Sequence, residues 1–396
     1  MNALRELLTE IGHTTVNIVL APDSYKDSLS SPDVCRIIAE AFRNVFSEAS
    51  IASLPMADGG EGTLEATVRA TGGSIRPTTA TDPLGKPITA RYGVLGDGLT
   101  GVIEMACASG LERLDSNQRN PVHTTSYGTG ELIATALNEG LDDIIVAIGG
   151  SATVDGGTGM AQALGYRFLD DNEQILEQIC TGETLGKISG IDASAIHPRL
   201  TKARIRVACD VENPLLGTNG AAQVFAPQKG ANESQVDLLD KGLQNICSVW
   251  EKHGLDSSPD STGAGAAGGL GAGLRAFCNA SLVPGVKLVS EIVHLDEHIH
   301  KADIVTTGEG RTDWQTFSGK VCHGIAREAH NHNTPVILLS GTIRSERELL
   351  EKLAATYTAT FSVNHELLTL NEALRATEEE LYYTALNVAR TLQLNL

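Results

Sequence analysis

The sequence predicts an α/β protein in which the two ends of the chain form one parallel-sheet domain and the middle forms a second, inserted α/β domain. At 396 residues, 41% of them hydrophobic, the chain can bury two cores of ordinary domain size. Strand–loop–helix order recurs near both ends, whereas the segment after residue 73 alternates as antiparallel hairpins do. We therefore assign residues 1–73 plus 285–396 to one domain and residues 74–284 to the other, and we expect the active site in the cleft between them.

The first terminal segment contains two strand–loop–helix units. Val16–Ala21 is a β-branched strand, and the Ser-Pro-Asp sequence that follows its loop predicts a helix over Pro32–Phe46. A second strand over Ile51–Met56 leads through a glycine-rich loop into a helix over Leu64–Thr71. Parallel strands are expected from this order.

The middle of the chain begins with hairpins and then returns to strand and helix alternation. Turn sequences at Asp82–Gly85 and Gly96–Gly98 divide the hairpin region, which extends from Ile75 to Met105. The further predicted helices are Gly130–Asn138, Glu233–Lys252 and, near the end of the chain, Asn371–Leu392. The further predicted strands are Ile144–Ile148, Ile205–Cys209, Ile304–Thr306 and Val336–Leu339.

Charge and composition exclude several classes of partner. A net charge of -19 with no run of Lys and Arg argues against nucleic acid. Seven widely spaced cysteines without a C-x-x-C pair predict reduced thiols. No apolar run approaches the ~20 residues that span a bilayer, and the start of the chain lacks a signal-peptide core. We expect a cytoplasmic protein without membrane contact; whether it forms a homodimer stays open.

Several familiar motifs are missing or misplaced. No Gly-Lys pair is followed by the Ser or Thr of a Walker A loop, and neither H-R-D nor D-F-G occurs. Gly263–Gly268 matches G-x-G-x-x-G but follows a polar stretch instead of a strand, so close packing on small residues competes with dinucleotide binding. His294–His298 matches H-x-x-E-H, with His300 nearby, and could be a zinc site or a solvated helix start.

Two loops near the start of the chain carry chemically useful side chains at predicted strand ends. In Ala21–Ser28, Asp23 can accept a hydrogen bond from a substrate hydroxyl or bind a metal ion, and Lys26 offers a cation for phosphate; an ordinary capped turn is the alternative. Met56–Thr63 places acids among three glycines, which allow a ligand to approach the backbone closely.

Two later loops combine glycine or charge with strand ends. Gly149–Gly159 carries five glycines, three small hydroxyls and one acid, which is typical of an anion-binding nest, although a tight packing turn is the alternative. Thr307–Lys320 contains two acids, an arginine and a lysine, which could bind magnesium and grip a carboxylate or phosphate, or could form surface ion pairs. Asp210 and the segment from Ser126 could bind ligands or merely cap helices.

Six motifs, taken together and in order, resemble those of the type 1 glycerate kinases. They are Asp23–Ser30, Met56–Thr63, Gly149–Gly157, Asp210–Gly217, Gly263–Leu270 and Gly308–Lys320, and the resemblance extends over about residues 16–385. It implies a flavodoxin-like domain with an inserted restriction-endonuclease-like domain, and transfer of the ATP γ-phosphoryl group to D-glycerate, giving 2-phosphoglycerate. Two residues depart from the family pattern: Val154 stands where members often carry Asn, and Trp314 where they carry a smaller residue. The extension over Met1–Thr15 has no assigned role.

These observations lead to a set of residue hypotheses with Mg²⁺ as cofactor and ATP as co-substrate. The predicted metal ligands are Asp58, Asp210 and Glu309. The predicted phosphate or nucleotide contacts are Gly149, Gly150, Ser151, Thr153, Asp155, Gly156 and Gly157. The predicted catalytic residues are Asp58, Asp313, Lys26 and Lys320, and the predicted substrate contacts are Arg311, Asp23 and Ser24. Rival hypotheses are a 3-phosphoglycerate product, a hydroxy-acid oxidoreductase and a non-enzymatic metabolite sensor.

Overall fold

The computed structural model describes residues 16–394, so the extension over Met1–Thr15 lies outside the described residues. The chain divides into two compact units. Unit 1 contains the segment up to Asp58, the short segment Glu65–Ala70 and the segment from Val286 onward, whereas unit 2 contains Gly59–Leu64 and Thr71–Gly285. In sequence, unit 2 therefore interrupts unit 1.

Strands and helices alternate along most of the described chain. The strands are β1 (Asn17–Leu20), β2 (Ser50–Ser53), β3 (Ser74–Thr81), β4 (Pro87–Val94), β5 (Thr100–Glu104), β6 (Asp143–Ala147), β7 (Arg167–Leu169), β8 (Gly190–Asp192), β9 (Arg204–Ala208), β10 (Ser281–Val283), β11 (Ile304–Thr312), β12 (Val336–Ile343) and β13 (Ala359–Ser362). The α-helices are α1 (Ser31–Arg43), α2 (Thr63–Thr71), α3 (Ala106–Ser109), α4 (Tyr127–Asn138), α5 (Thr158–Ala163), α6 (Ala221–Phe225), α7 (Glu233–Lys252), α8 (Ala266–Cys278), α9 (Gly285–Ile292), α10 (Leu295–His300), α11 (Val321–Asn331), α12 (Arg347–Thr356) and α13 (Leu370–Gln393).

Unit 1 is built on a five-stranded parallel sheet in the order β2-β1-β11-β12-β13. Numbered within the unit, this is the 2-1-3-4-5 order of flavodoxin-like folds. Alternate residues of β1 enter different cores: Ile18 and Leu20 pack with α1 and α13, and Val19 packs with α11 and α12. Both faces of the sheet are thus covered by helices, as parallel sheets require.

Unit 2 contains a six-stranded mixed sheet in the order β10-β9-β6-β5-β4-β3. The first four strands are parallel, and β5, β4 and β3 are joined as antiparallel hairpins. The hairpins predicted from turn sequences are therefore present. The predicted α/β class with parallel sheets is confirmed.

Local sequence signals set some boundaries and miss others; α1, for example, ends at Arg43 and not at the predicted Phe46. Helix α7 covers the predicted Glu233–Lys252, because Asn232 caps it by accepting the Gln235 N–H (3.0 Å). Strand β11 continues past the predicted Thr306 to Thr312, since its ladder with β12 continues there. Glu309 and Arg311 consequently lie within a strand and not, as predicted, in a loop.

No helix within residues 16–394 is long and apolar enough to cross a membrane. All seven cysteines are free thiols, and six of them are buried.

Candidate active site

Strand ends bring acidic residues together at the carboxyl edge of the unit 1 sheet. Beyond β1, the Asp23 N–H donates to the Gly308 carbonyl of β11 (2.8 Å). Beyond β2, the Met56 N–H donates to the Pro22 carbonyl (3.0 Å), which holds the segment leading to Asp58 beside the end of β1. Strand order reverses at β1, between β2 and β11, and open α/β sheets bind ligands at such a point.

The acids at this edge act electrostatically on one another. Burial raises the pKa of Asp23 to about 7, and the negative charges of Asp58 and Glu309 contribute in the same direction. The Ser24 N–H, which donates to Asp23 at 2.7 Å, and the Lys320 ammonium lower this pKa. The negative charges of Asp58 and Glu309 thus act on Asp23, and a bound cation would offset this repulsion.

Glu309 is the most buried of the three acids, with 6% of its surface exposed. Its Oε1 accepts hydrogen bonds from the hydroxyls of Thr312 (2.8 Å) and Thr316 (2.6 Å). Burial raises the pKa of Glu309, and these hydroxyls and Lys320 oppose the increase. One carboxylate oxygen is thus anchored, which fixes the orientation of the group.

Arg311 and Asp313 lie close together at the end of β11. The Arg311 Nε is 3.4 Å from the Asp313 Oδ2, and about half of the Arg311 side chain is exposed. Asp313 also accepts the Gln315 N–H (2.9 Å) and caps a short 3₁₀ turn. Both the ion-pair alternative and a ligand-binding role for Arg311 are compatible with this geometry.

Lys26 lies on an exposed turn beside β11. The turn is closed by the Tyr25 N–H, which donates to the Leu29 carbonyl (2.8 Å). A Cβ on Gly310 would lie 3.2 Å from the backbone nitrogen of Lys26, so the lack of a side chain on Gly310 permits the turn to approach the strand closely. The turn is held against the strand, and Lys26 remains accessible.

Two glycine-rich motifs meet within unit 2. The Gly149 N–H donates to the Gly59 carbonyl (3.3 Å), and a Cβ on Gly149 would lie 2.5 Å from the Gly60 Cα. Gly150 is exposed and has a φ of +71°, which favours glycine. The exposed residue of these two glycines is therefore Gly150, whereas Gly149 is packed against the Gly59–Gly60 loop.

The acid of the glycine loop holds other parts of unit 2 together. Asp155 is fully buried and accepts hydrogen bonds from the Ser126 N–H (2.7 Å), the Ser126 hydroxyl (2.7 Å), the Gly157 N–H (3.2 Å) and the Gly159 N–H (3.3 Å). Burial raises the pKa of Asp155, and these hydrogen bonds oppose the increase. The side chain ties the start of α4 to the start of α5, so a role in folding accounts for it.

The last glycines of this loop pack against α8. The Gly156 N–H donates to the Gly268 carbonyl (3.2 Å). A Cβ on Gly273 would lie 2.4 Å from the Gly156 oxygen, and one on Gly157 would lie 3.1 Å from the Gly273 Cα. Burial of Gly156 and Gly157 in this contact favours the packing-turn alternative over direct phosphate contact for these two residues.

A buried lysine that sequence reasoning missed supports the same loop. The Lys229 Nζ donates to the Ser151 hydroxyl (2.6 Å) and to the Thr153 carbonyl (2.7 Å). Burial lowers the pKa of Lys229 to about 7, and the charge of Asp155 opposes the decrease. The only signal in the sequence is a lysine before a glycine in Pro227–Gly230, which does not distinguish a buried lysine from an exposed one.

Asp210 and Glu104 hold helix starts in unit 2. The Gly285 N–H, at the first residue of α9, donates to the Asp210 Oδ1 (2.8 Å), which is the capping role considered from the sequence. Glu104, a second residue that sequence reasoning missed, is buried and accepts the Leu64 N–H (3.1 Å) at the start of α2. Within unit 2, it holds Leu64, which follows the Gly59–Gly60 loop.

The two misplaced motifs fit their structural alternatives. In the G-x-G-x-x-G segment, a Cβ on Gly265 would lie 2.1 Å from the Pro214 oxygen, and one on Gly268 would lie 1.9 Å from the Thr153 oxygen, as expected for close packing. In the H-x-x-E-H segment, His294 precedes the helix and lies 3.8 Å from Glu297 as an exposed pair.

The two departures from the family pattern lie in different surroundings. Val154 is fully buried, with its Cα near the Gly268 backbone. Trp314 is 43% exposed, and its Nε1 donates to Glu346 (2.7 Å). Val154 therefore contributes to packing, whereas Trp314 is accessible from solvent.

Comparison with known proteins agrees with this architecture. A family model described as the glycerate kinase family matches residues 18–393. The chain is 45% identical over 381 residues to the glycerate 2-kinase of Escherichia coli K12 (96% of this chain, 99% of the relative) and 42% identical over 379 residues to the glycerate kinase of Bacillus subtilis 168 (96% and 98%). A crystal structure assigned as glycerate kinase 2 from Salmonella typhimurium LT2 superposes with a TM-score of 0.86 at 45% identity, covering 96% of this chain and 99% of that one. With a match over nearly its whole length, and with the acids of three predicted motifs gathered at one sheet edge, this chain belongs to the glycerate kinase family.

Proposed function

We propose that this protein transfers the γ-phosphoryl group of ATP to the 2-hydroxyl of D-glycerate, with Mg²⁺ as cofactor, giving 2-phospho-D-glycerate and ADP. The observation that carries the proposal is the convergence of Asp23, Asp58 and Glu309 at the switch point of a flavodoxin-like sheet. Family membership supports glycerate as substrate. The name of the E. coli relative supports phosphorylation of the 2-hydroxyl.

The acids at this edge suit a magnesium ion. Mg²⁺ prefers oxygen ligands and is usually bound by one or two carboxylates together with substrate phosphates. Glu309 has one oxygen anchored by threonines and a second that can bind the ion, and Asp58 provides another carboxylate. We assign Asp58 and Glu309 to the metal and leave out Asp210, whose carboxylate caps α9.

When bound, the ion would neutralise charge on the phosphate oxygens. The side chains of this protein would position the substrates and stabilise the remaining charge. Asp23 accepts a hydrogen bond from the substrate hydroxyl, and Lys320, beside these acids, offsets negative charge on the transferred group. Lys26 is accessible for the same purpose. Arg311 holds the glycerate carboxylate through its planar fork.

We assign the backbone phosphate contact in unit 2 to the Gly150 N–H. Gly149 and Gly150 follow β6 after one residue, Ile148, and the Gly149 N–H already donates to the Gly59 carbonyl. Glycine at these positions lets a phosphate approach the main chain. Ser151 has its hydroxyl engaged with Lys229, so we assign it, with Thr153, Asp155, Gly156 and Gly157, to support of the loop and not to direct contact.

A coupled assay that measures ADP release from ATP, Mg²⁺ and D-glycerate tests the reaction. Phosphorus NMR of the product tests the position, since the two phosphoglycerates give separate signals. A dominant 3-phosphoglycerate signal would refute the proposed position. Turnover of NAD(H) with glycerate would favour an oxidoreductase, and glycerate binding without ADP release would favour a sensor.

A further inference from the structure

A second cluster of metal-ligand side chains lies in unit 1 on the edge of the sheet opposite the candidate active site. Its members are Asp296 on α10, Glu328 on α11 and His332, which caps the end of α11. Helix α11 leads into β12 at Val336, so this cluster is at the amino edge of the strand. With eight residues in β12 at ~3.3 Å each, the two edges are about 25 Å apart.

The geometry of the cluster suits one small divalent cation. The His332 Nε2 is 2.6 Å from an Asp296 carboxylate oxygen and 3.7 Å from a Glu328 oxygen, and ligand atoms of the three residues all lie within 4.8 Å of one another. Tetrahedral zinc with bonds of ~2.0–2.2 Å separates its ligands by about 3.3–3.6 Å. Small side-chain rotations would therefore bring the three ligands to coordination distance.

The spacing and burial of these residues make the cluster specific. Glu328 and His332 are four residues apart and so occupy one face of a helix end. Their side chains are 29% and 21% exposed, whereas Asp296 is 69% exposed. The partly buried pair forms the base of the site, and Asp296 closes it from α10.

His300 lies beside the second ring nitrogen of His332. Its Nδ1 lies 3.4 Å from the Nδ1 of His332. If the His332 Nδ1–H donates to His300, the lone pair of the His332 Nε2 is directed at the two carboxylates. Metal-binding histidines almost always donate the second ring N–H to an acceptor, commonly a carboxylate, a backbone carbonyl or water, and His300 would take that place here.

The composition of the cluster suits a cation. Two carboxylates share one imidazole, with the Asp296 oxygen 2.6 Å and the Glu328 oxygen 3.7 Å from the His332 Nε2. A divalent ion would neutralise both acids at once. One imidazole nitrogen and two oxygens match zinc better than magnesium, which prefers oxygen alone.

From this geometry we propose that Asp296, Glu328 and His332 bind one Zn²⁺ ion, with water as the fourth ligand, at a site separate from the candidate active site. The ion would join α10 to α11 and stabilise unit 1. This proposal does not depend on the proposed function.

Zinc titration of tag-free protein by calorimetry, in excess Mg²⁺ to occupy the other carboxylate site, tests the proposal. We expect Asp296→Asn, Glu328→Gln and His332→Asn each to weaken one equivalent of Zn²⁺ binding by at least ~10-fold, and His300→Asn to weaken it ~10–100-fold. Neighbours of the same type, Glu297→Gln and His330→Asn, serve as matched controls and should bind as the wild type does. Circular dichroism without metal checks that each variant is folded.

Cobalt substitution gives a second readout, since tetrahedral Co²⁺ bound by oxygen and nitrogen absorbs in the visible range without a thiolate charge-transfer band. The double variant Asp296→Asn/His332→Asn should lose this spectrum. If the wild type binds no more Zn²⁺ than the double variant, or if the control variants lose as much binding, the proposal is wrong. A strong thiolate band would move the bound ion to a cysteine and would also overturn it.

Discussion

Replacing Asp155 by Ala separates a structural role for the glycine loop from a phosphate-binding one. The carboxylate is fully buried and accepts four hydrogen bonds, two from Ser126 and one each from the N–H groups of Gly157 and Gly159. The substitution leaves these donors without their acceptor in a site closed to water. Each unsatisfied buried group costs ~1–3 kcal/mol, and partial relaxation reduces the sum, so we expect a loss of about 3–5 kcal/mol in the free energy of unfolding of unit 2.

Trp250 provides a selective probe for this measurement. It is fully buried in unit 2, whereas the other tryptophan, Trp314, lies in unit 1 and is half-exposed. In a Trp314→Phe background, fluorescence therefore reports the unfolding of unit 2 alone. With a urea dependence of ~2–3 kcal/mol per molar, the expected loss moves the midpoint down by about 1–2 M.

Asp170 is the matched control, because its carboxylate, like that of Asp155, accepts hydrogen bonds from backbone N–H groups. Its two donors are Asn172 and Gln174 (both 2.9 Å), and they lie in an exposed turn. Asp170→Ala should move the midpoint far less than Asp155→Ala. An unchanged midpoint for Asp155→Ala together with a large increase in the KM for ATP would refute the structural role and restore Asp155 as a phosphate contact.

Three further predictions concern single side chains. Arg311→Lys should raise the KM for glycerate by ~10–150-fold, equivalent to the 1.5–3 kcal/mol of a hydrogen bond to a charged group, with little effect on the KM for ATP. The control Arg347→Lys, at an exposed arginine paired with a glutamate, should change neither KM. A selective increase in the KM for ATP in Arg311→Lys would contradict the assignment. Glu309→Gln keeps an acceptor for its threonines but loses a metal ligand, so the Mg²⁺ concentration for half-maximal rate should rise ~10-fold or more, and an unchanged requirement would remove Glu309 from the metal site. Lys229 has a pKa of about 7 in the folded protein and a higher pKa in the unfolded chain, so the unfolded state binds more protons between these two values. The stability of the wild type should therefore rise relative to that of Lys229→Met as the pH increases from 7 toward 10. Urea midpoints that change in parallel with pH for the two proteins would show that burial does not perturb this lysine.

Local signals in the sequence were sufficient for much of the fold. The bounds predicted for the long helix Glu233–Lys252 are those of α7, and turn residues located the hairpins of unit 2. The far end of β11 was missed because Gly308–Arg311 has no apolar pattern. Its extended conformation comes from the ladder with β12, which is distant in sequence.

The sequence also determined which strand ends carry acids, because short-range order places Asp23, Asp58 and Glu309 after or at the end of predicted strands. What it could not determine was burial. Asp155 and the glycines after it resemble an anion site in sequence, yet they are enclosed by α4, α5 and α8, and Lys229 gave no sign that its ammonium is buried beneath Ser151. The type of each side chain and its neighbours in sequence can be read from the sequence, whereas access to solvent depends on segments that are distant in sequence. Only the tertiary structure therefore decides which polar groups can contact a ligand and which stabilise the fold.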